Sequence, residues 1–129
     1  MSAKKRVLTV DDEKLIVLAI RHNLKLAGYE VLEAYDGREA LKTIEAERPD
    51  LIILDVMMPE LNGWDVLSCI RDDPELQDIP VIMLTALGQD GDVGETIRRG
   101  ADFHLTKPFE PRHLLEIVQK LLEKEGDEA

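Results

Sequence analysis

The stretch Pro49-Asp50-Leu51-Ile52-Ile53-Leu54-Asp55-Val56-Met57-Met58-Pro59 decides how this chain is read. Four large apolar residues, Leu51 to Leu54, run without a break into the carboxylate of Asp55, and Pro59 follows. A short unbroken apolar run bounded by prolines predicts a strand buried on both faces, which is the habit of parallel sheets. Asp55 then stands where the strand gives way to a loop. In open α/β sheets, ligands bind beyond the carboxyl ends of the strands. Taken by itself, Asp55 could equally cap a turn, and the rest of the chain has to separate the two readings.

Moving outward, five short aliphatic or β-branched runs alternate with helical patterns. Strands are expected at 7–10, 30–34, 51–54, 81–85 and 103–106. Between the first two, Leu15, Ile16, Ala19, Ile20, Leu24 and Ala27 recur at three- and four-residue steps, which predicts a helix from Glu13 to Ala27 closed by Gly28. Asp36-Gly37-Arg38-Glu39 has the spacing of a capping box, and its helix should end at Arg48, before Pro49. Asn62 can cap a helix over 63–71. The glycines of Gly88 to Gly94 predict a loop, with a short helix near 92–99. Pro111 opens a last helix whose apolar face is Leu114, Leu115, Ile117, Val118, Leu121 and Leu122. The charged end from Glu123 to Ala129 is expected to fray, leaving an ordered core of about 5–122 within one domain spanning 1–129. Strict alternation of strand and helix implies right-handed βαβ units, a parallel sheet and helices on both faces.

Bulk composition narrows the function. A chain of 129 residues with 44% hydrophobic and 33% charged residues suits one globular domain. The single cysteine, Cys69, excludes an internal disulfide framework, fits a reducing cytoplasm and is expected to pack as a small apolar residue. No apolar run is long enough to span a membrane. The 27 acidic residues outnumber 16 basic ones, and the net charge of −11 disfavours direct contact with nucleic acid while favouring a divalent cation.

All five strand exits should open on one rim. They carry Asp11, Asp12 and Glu13 after the first strand, Asp55 after the third, Thr85 and Ala86 after the fourth, and Lys107 and Pro108 after the fifth. Carboxylates crowded on one rim raise one another's pKa unless a cation sits among them, and oxygen donors of this kind suit Mg²⁺. A hydroxyl and an ammonium opposite them are the groups needed to hold phosphate oxygens. Asp55, between the two sets, is the candidate nucleophile toward phosphorus. Each residue also has an ordinary explanation: Asp12 as a helix cap, Thr85 as a strand residue, Lys107 as a solvated charge.

The set Asp11-Asp12, Asp55-Val56-Met57-Met58-Pro59, Thr85-Ala86 and Lys107-Pro108-Phe109 closely resembles the receiver domain of two-component response regulators, from Lys5 to Leu122. The resemblance implies a flavodoxin-like, doubly wound sheet of order 2-1-3-4-5 with five helices. It implies a switch rather than an enzyme: Asp55 takes a phosphoryl group from a sensor histidine kinase or phosphotransfer protein. Asp11, Asp12, Asp55 and the Met57 backbone carbonyl would hold Mg²⁺, Lys107 would hold the phosphoryl group, and Thr85 would swing inward. Pro108 resembles the family's cis proline. The chain departs from the commonest pattern at His104, where many members carry Tyr or Phe. His104 is either a partly exposed strand residue or a switch residue able to titrate near neutrality. Met57 and Leu87, both apolar, predict slow loss of phosphate. Output to a downstream effector would be read from the fourth helix, fifth strand and fifth helix. The mixed charges of Arg112, Glu116, Lys120 and Lys124 on the last helix suit either phosphorylation-dependent pairing of two copies or a solvated face.

Three other functions compete. A Mg²⁺-dependent phosphohydrolase with an aspartate nucleophile would need a general acid/base two residues beyond it, where Met57 stands. A flavodoxin-like cofactor binder would need phosphate-binding residues after the first strand, where Asp11-Asp12-Glu13 repels phosphate. A receiver-like interaction module without chemistry would not need Asp11, Asp12, Asp55, Thr85 and Lys107 together.

Overall fold

Along the chain run β1 (Arg6–Val10), α1 (Lys14–Leu26), β2 (Glu30–Ala34), α2 (Gly37–Glu47), β3 (Leu51–Asp55), α3 (Gly63–Asp72), β4 (Val81–Ala86), α4 (Val93–Arg98), β5 (Phe103–Lys107) and α5 (Pro111–Asp127). The computed structural model describes residues 4–86 and 93–127. Leu87 and the stretch from Gly88 to Asp92 lie outside the described residues. The five strands form one parallel sheet in the order β2-β1-β3-β4-β5.

β3 is central and every one of its residues is buried, as its unbroken apolar run requires. Its side chains alternate between two cores. Ile52 and Leu54 join Leu8, Val10, Val81 and Met83 beneath Ile44 of α2 and Val66, Leu67 and Ile70 of α3. Leu51 and Ile53 join Val7, Ile82, Leu84 and Leu105 beneath Ile20 and Leu24 of α1 and Leu114, Ile117 and Val118 of α5. A doubly covered sheet is the reason the strands lack a polar alternation. Thr9 is the exception in β1: it is fully buried, and its hydroxyl has no hydrogen-bond partner among the described residues.

The helix ends follow local chemistry. Gly28 has φ +97°, the left-handed geometry that glycine accepts after a helix. The Asp36 carboxylate accepts from the Glu39 amide, while Glu39 reaches past Asp36 to the amide of Tyr35. Asn62 and Asp65 form the reciprocal capping box at α3. Gly63 is needed for close approach: a Cβ there would lie 2.3 Å from the Asp55 carbonyl oxygen.

Several expectations are corrected. In α1, Val17 is buried, whereas Leu15, Ala19 and Ala27 are exposed. The segment from Leu15 to Ile20 is apolar almost all round, so periodicity alone could not choose its inner face. Cys69 is exposed, because its neighbours Val66, Leu67 and Ile70 take the inward positions of α3. α5 extends past Glu123 to Asp127.

Far from the strand exits, Arg71 ties three segments together. Its guanidinium donates to the carbonyls of Gln77, Ile79 and Gly100 at 2.9, 2.8 and 2.7 Å, and to the Asp102 carboxylate at 2.9 Å. Asp102 in turn accepts from the Val81 amide at the start of β4.

Candidate functional site

Parallel pairing brings all the strand exits to one rim. Val10 lies beside Leu54, Asp55 beside Leu84, and Ala86 beside Lys107. Asp11 leaves β1 with its amide bonded to the Ala34 carbonyl at the end of β2. Ligand oxygens of Asp11, Asp12 and Asp55 all lie within 4.8 Å of one another. Asp11 and Asp55 are buried and Asp12 is exposed. Asp12 is not the cap of α1. That position belongs to Glu13, whose side chain makes no capping bond.

The ammonium of Lys107 sits among these groups, 2.8 Å from Asp11, 3.1 Å from Asp55 and 3.5 Å from Glu13. Asp11 uses its other oxygen to accept from the Glu13 amide at 2.9 Å. The Lys107–Pro108 peptide bond is cis.

Electrostatics follow from burial and crowding. Burial, reinforced by the negative charge of Asp11, pushes Asp55 up to about 6, against the opposing pull of Lys107. Burial also raises Asp11, although Lys107 and the Glu13 amide favour its charged form. For Lys107, burial disfavours the cation, but the hydrogen bonds and charges of Asp11 and Asp55 prevail and hold its pKa above the ordinary value. One ammonium thus faces a trio of carboxylates. The trio retains an excess of negative charge on hard oxygen donors, and this donor set fits a divalent ion such as Mg²⁺.

Thr85 is buried at the same rim, and its hydroxyl is engaged by His104, Oγ1 to Nε2 at 2.5 Å. Met83 is the register partner of His104, so the bond runs diagonally between β4 and β5. Burial lowers the His104 pKa. The Met57 side chain is exposed, and Phe103 is partly exposed at the start of β5.

Two features of the site region were not assigned from sequence. Glu13 was visible as a third acidic residue at the first strand exit, but its reach to Lys107 was not. Arg99, at the end of α4, stacks on Trp64 of α3 with its guanidinium carbon 4.5 Å from the ring centre. A tryptophan directly after the close-packed Gly63 was the available signal.

The response regulator receiver domain model matches residues 7–119. The chain is 43% identical over 120 residues to the alkaline phosphatase synthesis transcriptional regulatory protein PhoP of Bacillus subtilis, covering 93% of this chain and 49% of that protein. It is 42% identical over 119 residues to the DNA-binding dual master transcriptional regulator RpaA of Synechocystis, covering 92% and 49%. The chain therefore spans about half the length of the curated relatives it matches. Among solved structures, a putative response regulator from Chloroflexus aurantiacus superposes with a TM-score of 0.87 at 35% identity, covering 94% of this chain and 99% of the other. The chemotaxis response regulator CheY4 of Vibrio cholerae gives 0.85 at 38% identity, covering 93% and 100%. Sequence, topology and relatives agree on one conclusion: this chain belongs to the receiver domains of two-component response regulators, which are signalling switches.

Proposed function

We propose that Asp55 is the phosphoacceptor of this receiver domain and that the chain acts on itself alone. The observation that carries this reading is Lys107, whose ammonium bridges Asp11 and Asp55 at 2.8 and 3.1 Å inside a trio of carboxylates. Asp11, Asp12, Asp55 and the Met57 carbonyl would hold Mg²⁺, which supplies charge neutralisation for the incoming phosphoryl oxygens. An Asp55 oxygen attacks phosphorus while the P–N bond of a kinase phosphohistidine breaks, and the imidazole nitrogen keeps the electron pair. Lys107 takes up a phosphoryl oxygen, and Thr85 leaves His104 to donate its hydroxyl to another. Loss of the Thr85 bond frees His104, and the surface of α4, β5 and α5 carries the change to a downstream effector protein or domain. Exposed Met57 cannot orient a water by hydrogen bonds, so phosphate is lost slowly.

The partners on this reading are a histidine kinase or phosphotransfer protein and an effector, in the cytoplasm, with residues 1–129 acting as one receiver unit. No described helix is long and apolar enough to cross a membrane. To test the reading, the protein is mixed with phosphoramidate or acetyl phosphate and Mg²⁺, and its intact mass is measured. One phosphate per chain, absent in Asp55→Ala, supports it. Multiple turnover of an added phosphate ester supports a hydrolase instead.

A further inference from the structure

Glu13 is the carboxylate on this rim to which the proposed chemistry gives no task. It occupies the cap position of α1 yet makes no capping bond, so the helix start does not depend on its side chain. Its carboxylate is largely exposed and reaches the Lys107 ammonium at 3.5 Å, while the same ammonium holds Asp55 at 3.1 Å. Glu13 and Lys107 also stand together at the edge of a cavity of about 400 Å³ otherwise lined mainly by Ile16, Ala19, Phe109 and Pro111. A fixed negative charge and an apolar hollow thus adjoin the phosphoacceptor on the side of its lysine.

Phosphoryl donors differ in the charge of the group that departs. In the loose transition state of phosphoryl transfer, the bond from phosphorus to the leaving group is largely broken, so that group's charge is felt by its surroundings. Phosphoramidate carries a protonated nitrogen on phosphorus. As the Asp55 oxygen bonds to phosphorus and the P–N bond breaks, that nitrogen keeps the electron pair and its three protons and leaves as ammonia. Acetyl phosphate breaks a P–O bond instead, and the electron pair leaves on acetate as a full negative charge. An exposed carboxylate beside the site repels the departing acetate, whereas ammonia leaves uncharged and can donate an N–H to the carboxylate.

We propose that Glu13 is a specificity-determining residue of the phosphoacceptor site, favouring donors with nitrogen on phosphorus over acyl phosphates. The inference rests on Asp55 as the phosphoacceptor. A flat imidazole, the leaving group of a phosphohistidine, matches the apolar hollow and can donate an N–H to the Glu13 carboxylate. An acetate matches neither.

The test compares second-order rate constants for phosphoramidate and acetyl phosphate in the wild type, Glu13→Gln and Glu13→Asp, at saturating Mg²⁺, by intact mass. Glu13→Gln should speed acetyl phosphate and slow phosphoramidate, shifting their ratio about three- to tenfold at low salt, with the shift shrinking toward unity near 1 M salt. Glu13→Asp should retain most of the wild-type ratio, which a merely structural role would not predict. If Glu13→Gln changes both rates in proportion, or its ratio ignores salt, the inference is overturned while Asp55 stands. If the wild type takes up phosphate from neither donor, or Asp55→Ala still gains it, the phosphoacceptor reading itself fails.

Discussion

The hydroxyl of Thr85 and the imidazole of His104 are bonded to each other across β4 and β5, so neither can move without releasing the other. The pair joins the buried rim to a residue on the half-exposed strand β5.

This pair predicts a titration result. Burial lowers the His104 pKa, so its contribution to stability is present above the unfolded value near 6.5 and is lost as pH falls through that value toward the folded one. In NMR titrations the His104 ring should show a midpoint below 6.5, and its resonances should move when beryllofluoride and Mg²⁺ are added. Thr85→Ala should abolish most of that movement. Ring resonances indifferent to the phosphoryl mimic would refute a switching role.

Asp55 predicts the opposite sign. Its folded pKa of about 6 lies above the unfolded value, so the stability it contributes is full below the unfolded pKa and is lost as pH rises through about 6. In metal-free protein at pH 7 to 8, Asp55→Asn should therefore unfold at higher denaturant, by on the order of 2 kcal/mol. The gain should vanish below about pH 4, where the wild-type group is also neutral in both states. Mg²⁺ should raise the wild-type melting temperature, and that rise should shrink as pH falls through about 6 and protons compete for the carboxylates.

Gly63 predicts that a methyl group is too much. A Cβ at this position would meet the Asp55 carbonyl oxygen at 2.3 Å and the Val56 Cα at 2.9 Å, both backbone atoms. Gly63→Ala should cost roughly 1–3 kcal/mol in chemical denaturation and slow the proposed phosphorylation, because relief requires the backbone of Asp55 itself to shift. Wild-type stability in this variant would contradict the tight packing.

Thr9 offers a stabilising change. Its hydroxyl is buried in β1 without a hydrogen-bond partner among the described residues, and Val has nearly the same shape. Thr9→Val should raise stability by about 1 kcal/mol, whereas Thr9→Ser, which keeps the hydroxyl and removes a methyl, should lower it.

The strands and four of the five helices were legible because β3 is an unbroken apolar run and Gly28, Asp36, Asn62 and Pro111 punctuate the helices, whereas the strand order came from the family resemblance. The punctuating residues are local signals with local causes. The convergence of Asp11, Asp12, Asp55 and Lys107 followed from topology, since parallel strands put all their exits on one side. Less legible was whatever depends on rotation or register. Leu15 and Val17 differ little in hydropathy, and only packing against the sheet decides that Val17 goes in. The Thr85–His104 bond needs the pairing of Met83 with His104 to be known. Glu13 needed the position of Lys107, ninety-four residues further along the chain.

Arg71 has a mechanical consequence. By holding the Gly100 carbonyl at 2.7 Å and Asp102 at 2.9 Å, it clamps the entry to β5 to the end of α3 and the approach to β4. The strand entries are thereby fastened by side-chain bonds at the edge of the sheet opposite the rim that carries Asp55, Thr85 and Lys107.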